Sequence, residues 1–259
     1  MSAAIRQLAE QHGVGFMLTL GRISPLFALA PLFSSKMIPL RARGVAAVAL
    51  ALGLSPLATA GRKIPTDALS VAGLMLKEIL VGMAFAFTIA ALFAAVSAAG
   101  SFLDNQIGFS FGSLVDPINN QQSGIMSQLY SLIAVMVFVV IGGDAWLIRG
   151  LAGTYDVVSL TQLPDIGALV GGVQHAFSQI FLSAIEVAAP VLLAAIITDA
   201  GFGVVSRVMP QLNVFAVGFP AKILVGIVLI GASLPFTAGW IGDQLTSTVS
   251  AALHTLQAA

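Results

Sequence analysis

Between Glu78 and Asp104 the chain carries no charged side chain, and Ile125–Ile141 and Ile223–Gly242 are equally uncharged. About 20 apolar residues suffice for a helix to cross the hydrocarbon core of a bilayer. In that solvent every backbone polar group must find its partner within protein, which leaves helices or a closed barrel. Uninterrupted runs without strand alternation select helices. Composition agrees: 8% of residues are charged, against about 25% in soluble domains, and mean hydropathy is +1.00. The expected fold class is an all-α, integral membrane-class helical protein with kinked or broken helices. Its 259 residues suit one helical domain, 1–259, of about five or six helices.

Lys plus Arg equals Asp plus Glu, at 11 each, so net charge offers nothing to a polyanion and nucleic acid is not an expected partner. The absence of cysteine removes disulfides, thiol catalysis and thiolate metal sites. His12, His175 and His254 are too scattered to form a ligand cluster. Asp144 and Tyr155-Asp156 have neither the spacing nor the order of intramembrane aspartyl protease motifs, and Gly108-x-x-x-Gly112 lacks the lysine of a phosphate loop. No catalytic residue, metal or cofactor is expected. The first apolar block, Val14–Phe33, exceeds an ordinary signal-peptide core and contains Arg22, and Pro31 follows the cleavage-like Ala28-Leu29-Ala30. It reads as a retained segment.

Turn signals divide the rest. Gly61–Asp67 is punctuated by Gly and Pro, with Thr66 or Asp67 placed to cap the next helix. Gly142-Gly143-Asp144 ends the span Ile125–Ile141, and Ile166–Thr198 contains Pro190, where it is expected to bend or divide. Basic residues flank the short block Val45–Ala60 on both sides, as Lys36, Arg41 and Arg43 before it and Arg62 and Lys63 after it. The positive-inside rule cannot place both ends on one side. Either the block is re-entrant or the helices are not simple lipid-exposed spans.

Buried charge favours the second alternative. Arg22, Lys77, Glu78, Glu186 and Lys222 lie within or beside apolar segments, and each costs roughly 2.5–3.5 kcal/mol at a helix centre in lipid. Lys77 and Lys222 have an alternative in snorkelling outward from helix ends. Arg22 and Glu186 have long apolar stretches on both sides and are expected to find partners inside protein.

The longest polar interval, Gly100–Gly124, contains no basic residue and only two acidic ones, Asp104 and Asp116. Gly108 and Gly112 loosen its backbone, Pro117 bends it, and Phe102, Phe109 and Phe111 give it bulk. Such a segment serves either as a connector or as a filler for an aperture.

Two motifs, Asp104-x-Gln106-x-Gly108 followed by Asp116-Pro117, and Arg207-x-x-Pro210-Gln211-x-Asn213-x-Phe215 followed by Gly218-Phe219-Pro220, resemble the FliR family of type III secretion export-gate subunits, which includes the virulence injectisome homologues. The similarity in length and apolar character extends over nearly the whole chain. Ser101 departs from it, standing where many members carry an acidic residue. The resemblance implies a subunit that packs with FliP and FliQ, in the company of FlhB and FlhA, around a channel for unfolded export substrates in the bacterial inner membrane at the flagellar basal body. It implies a channel plug over about 104–122, including Gln106, Gly108, Phe109, Phe111, Gly112, Asp116 and Pro117. It also implies helices that need not lie across the bilayer, and inter-subunit packing at Arg207. With Arg22, Lys77, Glu78, Glu186 and Lys222, Arg207 completes the candidate charge and packing positions. Two readings of another kind remain from the residues themselves: a secondary transporter with broken helices and coupling charges, and a membrane scaffold without a passage.

Overall fold

The computed structural model describes residues 3–30, 33, 38–110, 124–209, 211 and 214–257. Seven helices, and no strand, form among the described residues: α1 (Ala3–Leu29), α2 (Leu40–Thr59), α3 (Ala68–Ile107), α4 (Ile125–Val140), α5 (Gly143–Val157), α6 (Ile166–Val208) and α7 (Val214–Gln257). By length and apolarity α2, α3, α6 and α7 can each cross a membrane, and the α4–α5 pair, bent by 74°, makes a fifth if taken as one span. The chain is an all-α, integral membrane-class helical protein.

Local chemistry sets several boundaries. Asp67 accepts the amide of Ser70 at 2.9 Å and so caps α3. Its contact with Ser70 holds the Asp67 carboxyl below the ordinary aspartate range. The cap is therefore at full strength above that range and fades as pH falls through the lowered value. Gly142, at φ 69°, provides the left-handed turn between α4 and α5.

Two expected boundaries differ. α3 runs through Gly100 to Ile107, so the first part of the polar interval is helical. α6 neither divides at Pro190 nor stops at Thr198, but continues to Val208. Ala184, Val187, Ala188 and Val191 are fully buried on both sides of the proline, and their packing outweighs the single backbone bond that Pro190 removes.

The chain forms two compact units. The first comprises Met1–Ala91, Gly142–Phe177 and Leu245–Ala259. One cluster of its core joins Leu18, Ala58, Ile64, Leu74, Tyr155 and Leu160. In this unit α1 crosses α3 so closely that a methyl group at Gly82 would strike the backbone carbonyl of Arg22. The second comprises Leu92–Ile141 and Ser178–Gln244. There Phe93 meets Phe138 edge-on, with ring centroids 5.5 Å apart. Ser97 and Ser127 hydroxyls lie 3.0 Å apart, and Gly100 lets the backbone of Met126 and Ser127 approach α3. Over the most apolar stretches of α2, α6 and α7 only 17%, 28% and 22% of residues are buried, against 56% for α3. α3 is thus the enclosed helix, and the other three turn most of their apolar surface outward.

Gly82→Ala should destabilise the protein by about 1–3 kcal/mol through overpacking. Gly73→Ala, on the same helix with no neighbour within 4 Å, should be neutral or stabilising by up to about 1 kcal/mol. Thermal unfolding of both variants in detergent measures the difference.

Candidate functional site

Among the described residues, two groups built on buried charge interrupt the apolar packing, one in each unit. The first is built on Arg22, which is 0% exposed. Its guanidinium grips Glu78 with two bonds, from Nε to Oε2 at 2.5 Å and from Nη2 to Oε1 at 3.0 Å. Nη1 donates to the Thr154 carbonyl at 2.8 Å and to the Thr154 hydroxyl at 3.2 Å, and Nη2 also donates to the Val158 carbonyl at 2.8 Å. All five N–H groups are thereby used. The ring of Tyr155 lies 4.3 Å below the guanidinium, a cation–π contact.

Lys77 completes the group. Its Nζ pairs with Glu78 Oε1 at 2.5 Å and donates to the carbonyls of Ser159 at 2.8 Å and Leu160 at 3.0 Å. Lys77 is buried and does not snorkel. Arg62 adds a bond to the Tyr155 carbonyl at 3.0 Å. Three cations therefore collect the carbonyls at and just beyond the C-terminus of α5, where a helix leaves its last carbonyls unpaired and carries partial negative charge. That partial charge balances an inner group with two cations and one carboxylate. The sequence marks Arg22, Lys77 and Glu78 as charged residues in apolar segments. Thr154, Tyr155 and the carbonyls they introduce carry no such mark, because their part is played by the end of a helix.

The second group lies at the base of the polar interval. Asp104, 3% exposed, reaches from α3 to the first turn of α4, accepting the amides of Met126 at 2.9 Å and Ser127 at 3.0 Å. It supplies the cap that Gly124 cannot give, and any side chain at 124 would collide with its carboxylate. The same residue closes α3, since its carbonyl accepts the amides of Gly108 at 3.1 Å and Ser110 at 3.3 Å. Gly108 sits at φ 102°, with the Phe219 ring where a side chain would be. Gln106 Nε2 and Lys222 Nζ both donate to Asp199 Oδ2, at 3.0 and 2.8 Å. Gln106 is thus on helix α3, not in a loop, and Lys222 pairs within its own unit.

Phe109 is half-buried in the turn after α3. Phe111, Gly112, Asp116 and Pro117 lie outside the described residues, as do Pro210 and Asn213 of the second motif. Arg207 is exposed in the last turn of α6. Glu186 is exposed as well, with Trp240 Nε1 donating to its Oε2 at 3.2 Å. The interior partner expected for Arg22 exists; for Glu186 the described chain provides only this indole. Asp104 opens the first motif without being among the candidate site residues, and Asp199 lies ahead of the second motif, which begins at Arg207.

Residues 14–248 match the family described as bacterial export proteins, family 1. The chain belongs to this family. Its members include type III secretion export-gate subunits. The flagellar biosynthetic protein FliR of Bacillus subtilis is 31% identical over 221 residues, 83% of this chain and 84% of that protein. FliR of Escherichia coli is 29% identical over 217 residues, 84% and 83% of the two chains. The Yop proteins translocation protein T of Yersinia pestis is 29% identical over 231 residues, 87% and 88% of the two chains.

Removing one member of the buried pair leaves the other uncompensated, at a cost of about 3–5 kcal/mol. Glu78→Ala, which leaves both Arg22 and Lys77 without their carboxylate, should lower the unfolding temperature and cellular level of the protein more than the double change Arg22→Met/Glu78→Gln, which leaves Lys77 alone uncompensated. If the double variant is the less stable, the pairing account fails. Asp104→Ala should cost about 1–2 kcal/mol by uncapping α4. Amide exchange at Met126 and Ser127 should quicken by about tenfold or more, with α5 amides unchanged.

Proposed function

We propose that this chain is the FliR subunit of a flagellar type III export gate. It assembles with FliP and FliQ, next to FlhB and FlhA, in the bacterial inner membrane at the flagellar basal body. There it lines the channel through which unfolded flagellar proteins leave the cytoplasm. The interval that follows α3 and includes Gly108, Phe109, Phe111, Gly112, Asp116 and Pro117 closes this channel at rest, with Gln106 in the last turn of the helix that carries it. Its phenylalanines exclude water and ions, and its sparse charge leaves a polypeptide of arbitrary sequence without a trap. No catalytic step or cofactor takes part.

One observation carries this reading beyond family membership. Both ends of the interval are anchored to the same buried residue, through the Asp104 carboxylate on one side and its carbonyl on the other. With both helix ends closed at Asp104, α3 and α4 keep their caps independently of the segment between them. The flagellar assignment rests on overall similarity to FliR proteins, and the injectisome is the alternative of the same class. The outward apolar faces of α2, α6 and α7 suit packing against sister subunits more than a transporter working alone.

Phe109→Ala combined with Phe111→Ala should make resting membranes leaky to small ions while leaving the assembled complex in normal amount. Ion flux in whole cells, with motility as the export readout, measures this. Unchanged flux together with unchanged motility would rule out the plug. Restoration of motility in a cell lacking its own FliR distinguishes the flagellar role from that of an injectisome.

A further inference from the structure

Glu186 occupies the middle of α6, about 30 Å of helix from either end. It is the only Asp, Glu, Lys or Arg between Asp165 and Asp199. It lies on the outward stripe of the helix, with Leu182, Ile185 and Leu193 all more than half exposed around it. The opposite stripe, Ala184, Val187, Ala188 and Val191, is fully buried. Among the described residues Glu186 has no ion pair. Its described hydrogen bond comes from Trp240 and engages one carboxylate oxygen, whereas a carboxylate accepts about four hydrogen bonds.

A second acceptor lies on the same residue. Pro190, one turn later, has no amide hydrogen to give to the Glu186 carbonyl. Lipid at the depth of a span's centre offers no donor to either group. From Leu182 to Leu193 the stripe carries no other charged residue, and at Glu186 it is acceptor-rich. A guanidinium meets those demands better than an ammonium, because its planar fork can bind the carboxylate with two bonds and still donate to a carbonyl. Trp240, holding Oε2, keeps the carboxylate in one orientation before any partner arrives.

We propose that the outward stripe of α6 around Glu186 is a docking face for a helix of a second, different polypeptide, whose arginine pairs with the Glu186 carboxylate. This rests on reading the chain as an assembled subunit, and it specifies the chemistry of one of its contacts. Other occupants of the stripe, namely a second copy of this chain or lipid alone, become outcomes of the test.

The chain has no cysteine, so Leu182→Cys introduces a single thiol beside Glu186. Labelling that thiol in native membranes with a photoreactive maleimide, followed by irradiation and mass spectrometry, identifies what lies against the stripe. In parallel, the amount of assembled complex is measured on native gels for the wild type, Glu186→Gln, Glu186→Lys and Trp240→Phe. The expected cross-link is to a different polypeptide, within one helical turn of an arginine. Glu186→Gln, which keeps volume and the bond from Trp240, should lower the assembled complex about tenfold; Trp240→Phe should lower it less, and Glu186→Lys should abolish it. Exchanging the two charges, Glu186→Arg with the partner arginine changed to glutamate, should restore it. The inference is overturned if the wild type assembles and Glu186→Gln assembles equally well. It is also overturned if the cross-link falls far from any arginine, on a second copy of this chain or only on lipid. A wild-type chain that runs alone on native gels would overturn the proposed function itself, which separates the two failures.

Discussion

The end of α5 is the constraint on which the first unit depends. A helix that stops inside a membrane-class protein exposes its last carbonyls where water is scarce, and an unsatisfied acceptor there is costly. The chain answers with cations from three other places in the sequence: Arg22 on α1, Arg62 before α3, and Lys77 on α3. Glu78 then offsets the surplus positive charge and locks the guanidinium in plane. Four separated segments are thereby fixed by one electrostatic requirement. The apolar cluster around Leu18 and Tyr155 supplies most of the attraction but little of the directionality.

The second unit solves the complementary problem at the opposite kind of helix end. The first amides of α4 lack acceptors, and Asp104 provides them from a neighbouring helix. Glycine appears at 100 and 124 because backbone and carboxylate must come within reach of each other there. The two units thus use charge in the same way: cations gather at a C-terminus and a carboxylate at an N-terminus, in the sense the helix dipole requires.

The long helices were legible in the sequence because absence of charge over a span length has few structural solutions. The cap at Asp67 was legible because its chemistry is local. Lys77 was not: nothing near it in sequence distinguishes a snorkelling lysine from one bonded to carbonyls at Ser159 and Leu160. The extension of α3 through Gly100 was hidden for a related reason. The glycine that looks like a loop signal is a packing requirement set by Met126 and Ser127. Glu186 reads in sequence as a charge seeking an interior partner, yet it lies on the outward stripe of α6, since helical phase about a proline is decided by packing. Of the plug positions, Gln106, Gly108 and Phe109 fall among the described residues and the rest do not.

Pinning both ends of an interval to one residue also separates its fate from that of its supports. Once the closure is made at Asp104, adding residues between the pins raises the entropic cost only logarithmically, by about 0.6 kcal/mol for each doubling of length. Lengthening the stretch between α3 and α4 by a few residues is therefore expected to leave the scaffold on either side as it is.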